Sequence, residues 1–209
     1  MWLCAGGTLR TAQAALRDGA AVHLGGGFHH AFPDHGEGFC LIHDVAIAIR
    51  MLQRERAIRR ALVVDLDVHH GNGTAAIFSG DDTVFTFSMH QQNNYPAWKP
   101  PSDLDLGLPD ATGDQDYLAL LERHLPVILD RHGPDLVVYL AGADPYERDQ
   151  LGGLALTIDG LRRRDAYVLG TARSRGLPVA VTLAGGYAAN ERDTVEIHVN
   201  TVREEARLK

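Results

Sequence analysis

The feature that most constrains this chain is an alternation. Short runs rich in β-branched residues recur at 21–24 (AVHL), 61–66 (ALVVDL), 83–88 (TVFTFS), 135–140 (DLVVYL) and 178–183 (PVAVTL). Runs this short and this apolar read as strands buried on both faces, as in a parallel sheet covered by helices. Segments of helical pattern lie between and around them. Residues 8–19 begin with a plausible Thr8 cap and stop at Gly19, and 38–55 place Ile42, Val45, Ile49 and Leu52 on one face. Residues 114–133 carry Pro126 as a kink or break, and 158–176 and 191–209 complete the set. The longest irregular stretch, 90–113, holds Pro96, Pro100, Pro101 and Pro109, and a loop of that length usually has a function. Strand alternating with helix predicts one α/β domain over 1–209, a three-layer α/β/α arrangement around a mainly parallel sheet.

Composition narrows the function classes. The chain has 209 residues, 45% of them hydrophobic and 22% charged, enough for a substantial core. No apolar run is long enough to span a membrane, and MWLCAGG lacks the basic-then-apolar layout of a signal peptide. Cys4 and Cys40 are too few for a disulfide framework, so a cytoplasmic setting is expected. A net charge of −7 offers no basic footprint for nucleic acid. Neither a membrane nor a nucleic-acid partner is expected, and a monomer and an oligomer are both compatible with the sequence.

In open parallel sheets, ligands bind beyond the carboxyl ends of the strands. Here a polar cluster follows each run: GGGFHHAF, VHHGNG, MHQQNNYP, AGADP and AGGY. That coincidence predicts one shared site. Buried carboxylates and imidazoles are costly unless paired, hydrogen-bonded or bound to a metal. Alternate side chains of a strand share a face, so Asp65, Asp67 and His69 point one way if the strand persists that far. Asp67 and His69 offer donors suited to zinc or ferrous iron, and Asp144 in AGADP is the best candidate for a third. Three protein ligands leave a position for water, the mark of a catalytic metal site. A lone D-x-H triplet more often caps a loop; the neighbouring strand ends turn the balance.

His29 and His30 follow three glycines and are natural acid–base groups near neutral pH. Asp65 and Asn72 are the nearby acceptors that could fix their tautomers. Taken alone, two core histidines satisfied by carbonyls would fit equally well. Tyr187, after a glycine pair, could donate to a developing oxyanion, although an ordinary loop tyrosine is the simpler reading. Phe39 and Tyr95 either line an apolar tunnel or belong to the core.

As a set, GGGFHHAFPDHGEGFCLIHDVAIAI, VVDLDVHHGNGTAAIF, VFTFSMHQQNNYP, AGADPYERDQLGGLALTIDGLRRRD and LAGGY resemble, in order, the motifs of the histone deacetylase family. The HHGNG form and the GGTLRTAQAALRDGAAVHLGGGFHHA lead-in look closest to its class IV branch and bacterial relatives. The resemblance runs from about Gly6 to the C-terminal helical segment. It implies an arginase/deacetylase-like fold, with Asp67, His69 and Asp144 holding a catalytic Zn²⁺, Fe²⁺ being an alternative. It implies Tyr187 as the transition-state tyrosine, His30 as general base and acid with Asn72 as partner, and His29 paired with Asp65. A structural K⁺ would be held by Asp65, Asp67, His69, Ser88 and Met89, partly through backbone carbonyls. Gly38, Phe39 and Tyr95 fall where the family forms its acyl-lysine tunnel.

The chemistry so implied is metal-assisted amide hydrolysis. His30 takes a proton from the attacking water and returns it to the departing lysine amine, while Tyr187 stabilises the oxyanion. Asn72 is neutral where some relatives carry aspartate, so His30 is expected to have a lower pKa than in Asn72→Asp. Family members carry a further segment with the first sheet strands before this point, so one sheet edge is expected to be open.

Three other readings stay in view. The same chemistry could act on a small acylated amine such as an acetylpolyamine rather than on a protein lysine. Arginase-like ureohydrolases share the fold but use two manganese ions, and Gly71 and Gly142 stand where extra bridging carboxylates would be needed. A truncated, inactive relative kept as a binding module is the non-enzymatic alternative.

Overall fold

The structure, a computed structural model, describes residues 1–207, so the last two residues of the 191–209 segment lie outside it. In chain order the elements are α1 (Trp2–Asp18), β1 (Ala20–His23), α2 (Asp44–Arg54), β2 (Ala61–Asp65), α3 (Asn72–Phe78) and β3 (Val84–Gln91). They continue with β4 (Leu104–Leu108), α4 (Asp114–His132), β5 (Leu136–Leu140), α5 (Ile158–Arg173), β6 (Val179–Thr182) and α6 (Glu191–Ala206). The strands form one six-stranded sheet in the order β1-β6-β5-β2-β3-β4. Every pairing in it is parallel.

The strands are apolar throughout because each face has its own core. Ala61 and Val63 of β2 and Leu136, Val138 and Leu140 of β5 pack with α1 and α2. Leu62, Val64, Val137 and Tyr139 alternate to the other face and pack with α4, α5 and α6. Helices on both faces give the expected three layers. The sheet also locates the site. From β2 the chain runs outward through β3 and β4, then returns to the other side of β2 with β5. Such a reversal opens a crevice at the carboxyl ends of the two central strands.

Several expectations about elements are corrected. Helix α1 starts at Trp2, not at Thr8. Thr8 is buried within it and its hydroxyl donates to Asp44 instead of capping the helix. Gly7 lets α1 lie against β1, since a Cβ there would come within 2.5 Å of the His23 ring. Ile42 precedes helix α2, which His43 caps by accepting from the Ala46 N–H at 3.1 Å. Pro126 does not break α4. The Glu122 carbonyl, which proline cannot bond, accepts the Tyr167 hydroxyl at 3.3 Å. Finally, 90–113 is not one irregular stretch, because β3 extends into it and β4 lies inside it. Strands β1 and β4 are the edges of the sheet.

The buried His43 and the half-buried His198 tie the fold to pH. Burial holds His43 down at about 4, and burial with the Arg164 guanidinium holds His198 at about 4. Unfolded imidazoles take up protons near the ordinary value of 6.5. Their stabilising contribution is therefore fully present above that value and is lost as pH falls toward 4. The urea midpoint should decline on going from about pH 7 to about pH 5, and His198→Gln should make the decline shallower. An identical slope in that variant would remove His198 from the account.

Candidate active site

A cavity of about 500 Å³ opens at the crevice between β2 and β5. His29, His30, Asp67, His69 and Asp144 line it, together with Gly38, Phe39, Tyr95 and Tyr187. Phe39 is 79% exposed and Tyr95 and Tyr187 are about half-way out, so these rings form its mouth rather than a core. Phe39 and Tyr95 thus line the cavity and do not belong to the core.

Strand β2 ends at Asp65, so the expected common face of Asp65, Asp67 and His69 does not extend past it. Asp65 turns to His29, while Asp67 and His69 stand on the following loop beside Asp144. That loop is shaped by its own carboxylates: Asp65 Oδ1 accepts the Asp67 N–H at 3.2 Å, and Asp67 Oδ1 accepts the His69 N–H at 2.9 Å. Such Asx contacts replace strand pairing locally. The ligand atoms of Asp67, His69 and Asp144 all lie within 4.8 Å of one another. His69 Nδ1 is 3.0 Å from Asp67 Oδ1 and 3.3 Å from Asp144 Oδ2.

The electrostatics of this trio fit a cation. Burial and the neighbouring Asp67 push Asp144 up to about 7. Burial would lower His69, yet its close contacts with the Asp144 and Asp67 carboxylates raise it to about 10. Asp144 Oδ2 is buried and has no hydrogen bond among the described residues. Two buried carboxylates sharing one imidazole are under-compensated, which a divalent ion would relieve. Glycine keeps the space clear: a Cβ at Gly185 would lie 2.2 Å from Asp144 Oδ2, and one at Gly142 2.9 Å from Asp67 Oδ2. Gly142 thus has no room for a further bridging carboxylate, so the trio is suited to one ion.

The two histidines have separate partners, and opposite tendencies. His29 Nδ1 lies 2.7 Å from Asp65 Oδ2, and His30 Nδ1 lies 2.7 Å from Asn72 Oδ1. Burial would lower His29, but the charges of Asp65 and Asp67 carry it up to about 9. Burial and the charge of His29 push His30 down to about 2. In the metal-free protein these surroundings favour a neutral His30 and a cationic His29. Burial with the nearby Asp67 and Asp144 carboxylates pushes the Tyr187 phenol up to about 12, so it remains a donor. Its backbone is fixed by Asp149, which accepts the Tyr187 N–H at 2.6 Å.

Behind the trio, Asp65 and Ser88 are direct partners in the β2–β3 register, and Met89 follows in β3. His70, adjacent to His69, faces away from the cavity lining and meets Asp105 of β4 at 3.1 Å.

Three residues of the site escape sequence reading. Asp44 accepts the N–H groups of Gly27 and Phe28 at 3.0 and 2.8 Å, which sets the turn leading into His29 and His30. Arg164 is fully buried and donates to the carbonyls of Leu66 and Gly142 at 3.2 and 2.7 Å, tying together the loops that carry Asp67 and Asp144. Glu37 accepts from both Asn72 and Tyr95. An acidic residue opening a helix and a basic run within one are weak signals for the first two; Glu37 has none.

Fold and site together define an α/β protein of the parallel, doubly covered type, with a carboxylate–imidazole cluster fit for one cation at its topological switch point. The histone deacetylase domain profile matches residues 1–202. An uncharacterized protein of Picosynechococcus sp. is 52% identical over 193 residues, covering 92% of this chain and 64% of that protein. Histone deacetylase 2 of Arabidopsis thaliana is 34% identical over 185 residues, covering 87% of this chain and 48% of that one. The crystal structure of acetylpolyamine aminohydrolase from Burkholderia pseudomallei superposes with a TM-score of 0.79 at 27% identity, over 96% of this chain and 61% of that one. The chain belongs to the histone deacetylase family. It spans about half to two thirds of the length of these curated relatives.

Proposed function

We propose that this chain is a metal-dependent deacylase that removes an acyl group from the side-chain amine of lysine in a protein. One observation carries the reading: the three candidate ligands, a neutral histidine and a tyrosine donor all line one cavity. The reading takes 1–209 as one catalytic domain and, from its two free cysteines, a cytoplasmic setting. Among the described residues no helix is long and apolar enough to cross a membrane.

Asp67, His69 and Asp144 would hold Zn²⁺, with Fe²⁺ as an alternative; the bound ion would supply Lewis-acid polarisation of the acyl carbonyl and a more acidic water. The chain's own groups do the rest. His30, kept neutral by burial, takes a proton from the attacking water. The water oxygen bonds to the acyl carbon, and the Tyr187 hydroxyl donates to the oxygen that becomes negative. His30 then gives its proton to the departing nitrogen as the C–N bond breaks, leaving a carboxylic acid and an amine; the acid's proton passes to the amine in water, giving carboxylate and ammonium. His29, paired with Asp65, stays in place as the cationic neighbour. The apolar mouth of Phe39 and Tyr95 would receive the alkyl stem of the lysine. A structural K⁺ is proposed on Asp65, Asp67, His69, Ser88 and Met89, partly through backbone carbonyls; the pairing of Asp65 with Ser88 in the β2–β3 register supports it.

A small acylated amine is the second reading, favoured by the acidic Glu37 and Asp149 near the mouth and by the acetylpolyamine aminohydrolase likeness. The kinetic comparison is acetyl-lysine peptide against acetylspermidine. We expect the larger kcat/KM on the peptide; a larger value on the polyamine would reverse the substrate assignment.

A further inference from the structure

Glu37 is a charged group just behind the cavity lining, bonded to Asn72 and Tyr95, that the chemistry above leaves unused. It opens a tight hairpin in which the Glu37 N–H donates to the Cys40 carbonyl at 2.9 Å and the Cys40 N–H returns to Glu37 at 2.7 Å. Gly38 and Phe39 form its tip with φ of 50° and 65°, the left-handed region. Gly38 has no alternative, since a Cβ there would lie 2.3 Å from the His30 ring. The hairpin sets one carboxylate oxygen, Oε1, against two donors: Asn72 Nδ2 at 2.7 Å and the Tyr95 hydroxyl at 2.6 Å. The Tyr95 hydrogen bond, with those of Asn72 and His35, holds Glu37 below the usual carboxylate range.

The consequence follows from donor and acceptor chemistry. An ionised carboxylate only accepts, so the end of the Asn72 amide that faces it is the NH₂. The opposite end, Oδ1, accepts the Gly73 N–H at 3.1 Å and lies 2.7 Å from His30 Nδ1. An amide oxygen only accepts, so His30 Nδ1 carries the ring proton and Nε2 is left to take one. Tyr95, held by the same carboxylate, stands edge-on to the His30 ring at 5.0 Å between centroids.

We propose that Glu37 is a positioning residue for His30: through the Asn72 amide it holds the imidazole in its Nδ1–H tautomer, and through Tyr95 it holds the cavity wall against that ring. The inference rests on the deacylase reading for what the tautomer is used for. A direct aspartate partner would place a full charge on the ring nitrogen. Here the charge stands one amide further away, so orientation is fixed while the imidazole is left less strongly polarised.

The test uses the zinc-loaded chain and its Glu37→Ala, Glu37→Gln and Tyr95→Phe variants. Each is measured for steady-state hydrolysis of an acetyl-lysine peptide and by long-range ¹H–¹⁵N spectra of the imidazoles. His30 signals are assigned by their loss in His30→Ala. In Glu37→Ala, kcat should fall roughly tenfold to a hundredfold, part of the roughly 10²–10⁴ that a correctly positioned general base contributes. KM should change far less, and the His30 pattern should move from one tautomer toward a mixture. Glu37→Gln, whose amide oxygen still accepts from Asn72, should restore most of both. Tyr95→Phe should leave the His30 pattern in place. Wild-type kcat and an unmoved His30 pattern in Glu37→Ala would overturn the proposal, as would Tyr95→Phe reproducing both effects. If the wild-type chain does not hydrolyse the peptide, the deacylase reading fails, and the spectra alone still decide whether Glu37 sets the tautomer.

Discussion

Zinc should raise the unfolding midpoint of the wild-type chain by roughly 5–10 °C at a hundred times its Kd and leave that of Asp144→Asn unmoved. A ligand at that excess adds about 2.7 kcal/mol, and each kcal/mol is worth about 2–4 °C in a chain of this size. The variant separates loss of binding from loss of folding. Without metal, Asp144 is pushed up to about 7 by burial and by Asp67. A carboxyl with a raised folded pKa contributes its stability fully below its ordinary value of 3.8 and loses it as pH rises through about 7. At pH values above that, the ionised group is a net cost to the metal-free fold. Asparagine removes the like charge at nearly the same volume. Metal-free Asp144→Asn should therefore be at least as stable as the metal-free wild type, and only the wild type should respond to zinc. A zinc shift retained in the variant would remove Asp144 from the ligand set.

The second large effect divides the two histidines. His30→Ala should lower kcat by about 10²–10⁴, the range for loss of a general base, and Tyr187→Phe by about 10²–10³, the range for one oxyanion donor. Both variants should keep the zinc-induced rise in midpoint, because neither residue belongs to the trio. The assignment to His30 comes from its surroundings: burial and the cationic His29 keep it neutral, whereas Asp65 and Asp67 raise its neighbour to about 9. His29→Ala should accordingly cost less than His30→Ala when kcat is compared at one pH. Equal losses, or a greater loss at His29, would exchange the roles.

Much of the fold is legible in the residues because a strand buried on both faces must be apolar at every position. Strand β4 escapes that rule. LDLGL has no β-branched residue and alternates leucine with Asp105 and Gly107, as a half-exposed edge strand does. Helix α3 is seven residues long, too short for a period to show. Thr8 has the look of a cap, but its hydroxyl is taken by Asp44 across the α1–α2 contact. In the site, Asp67, His69 and Asp144 stand out because D-x-H and AGADP concentrate their chemistry at strand ends. Glu37 and Arg164 do not, since their key partners lie 35 and 98 positions away. The expectation for Asn72→Asp is incomplete for the same reason. It leaves out Glu37, 2.7 Å from the Asn72 amide, which would set two carboxylates against each other.

The central claim is tested most directly by release of acetate from an acetyl-lysine peptide by the zinc-reconstituted chain, with Asp144→Asn as the control. Hydrolysis by the wild type that disappears in the control is the predicted result. A folded, zinc-loaded chain that binds the peptide without releasing acetate would contradict it and favour a binding module built on the same fold.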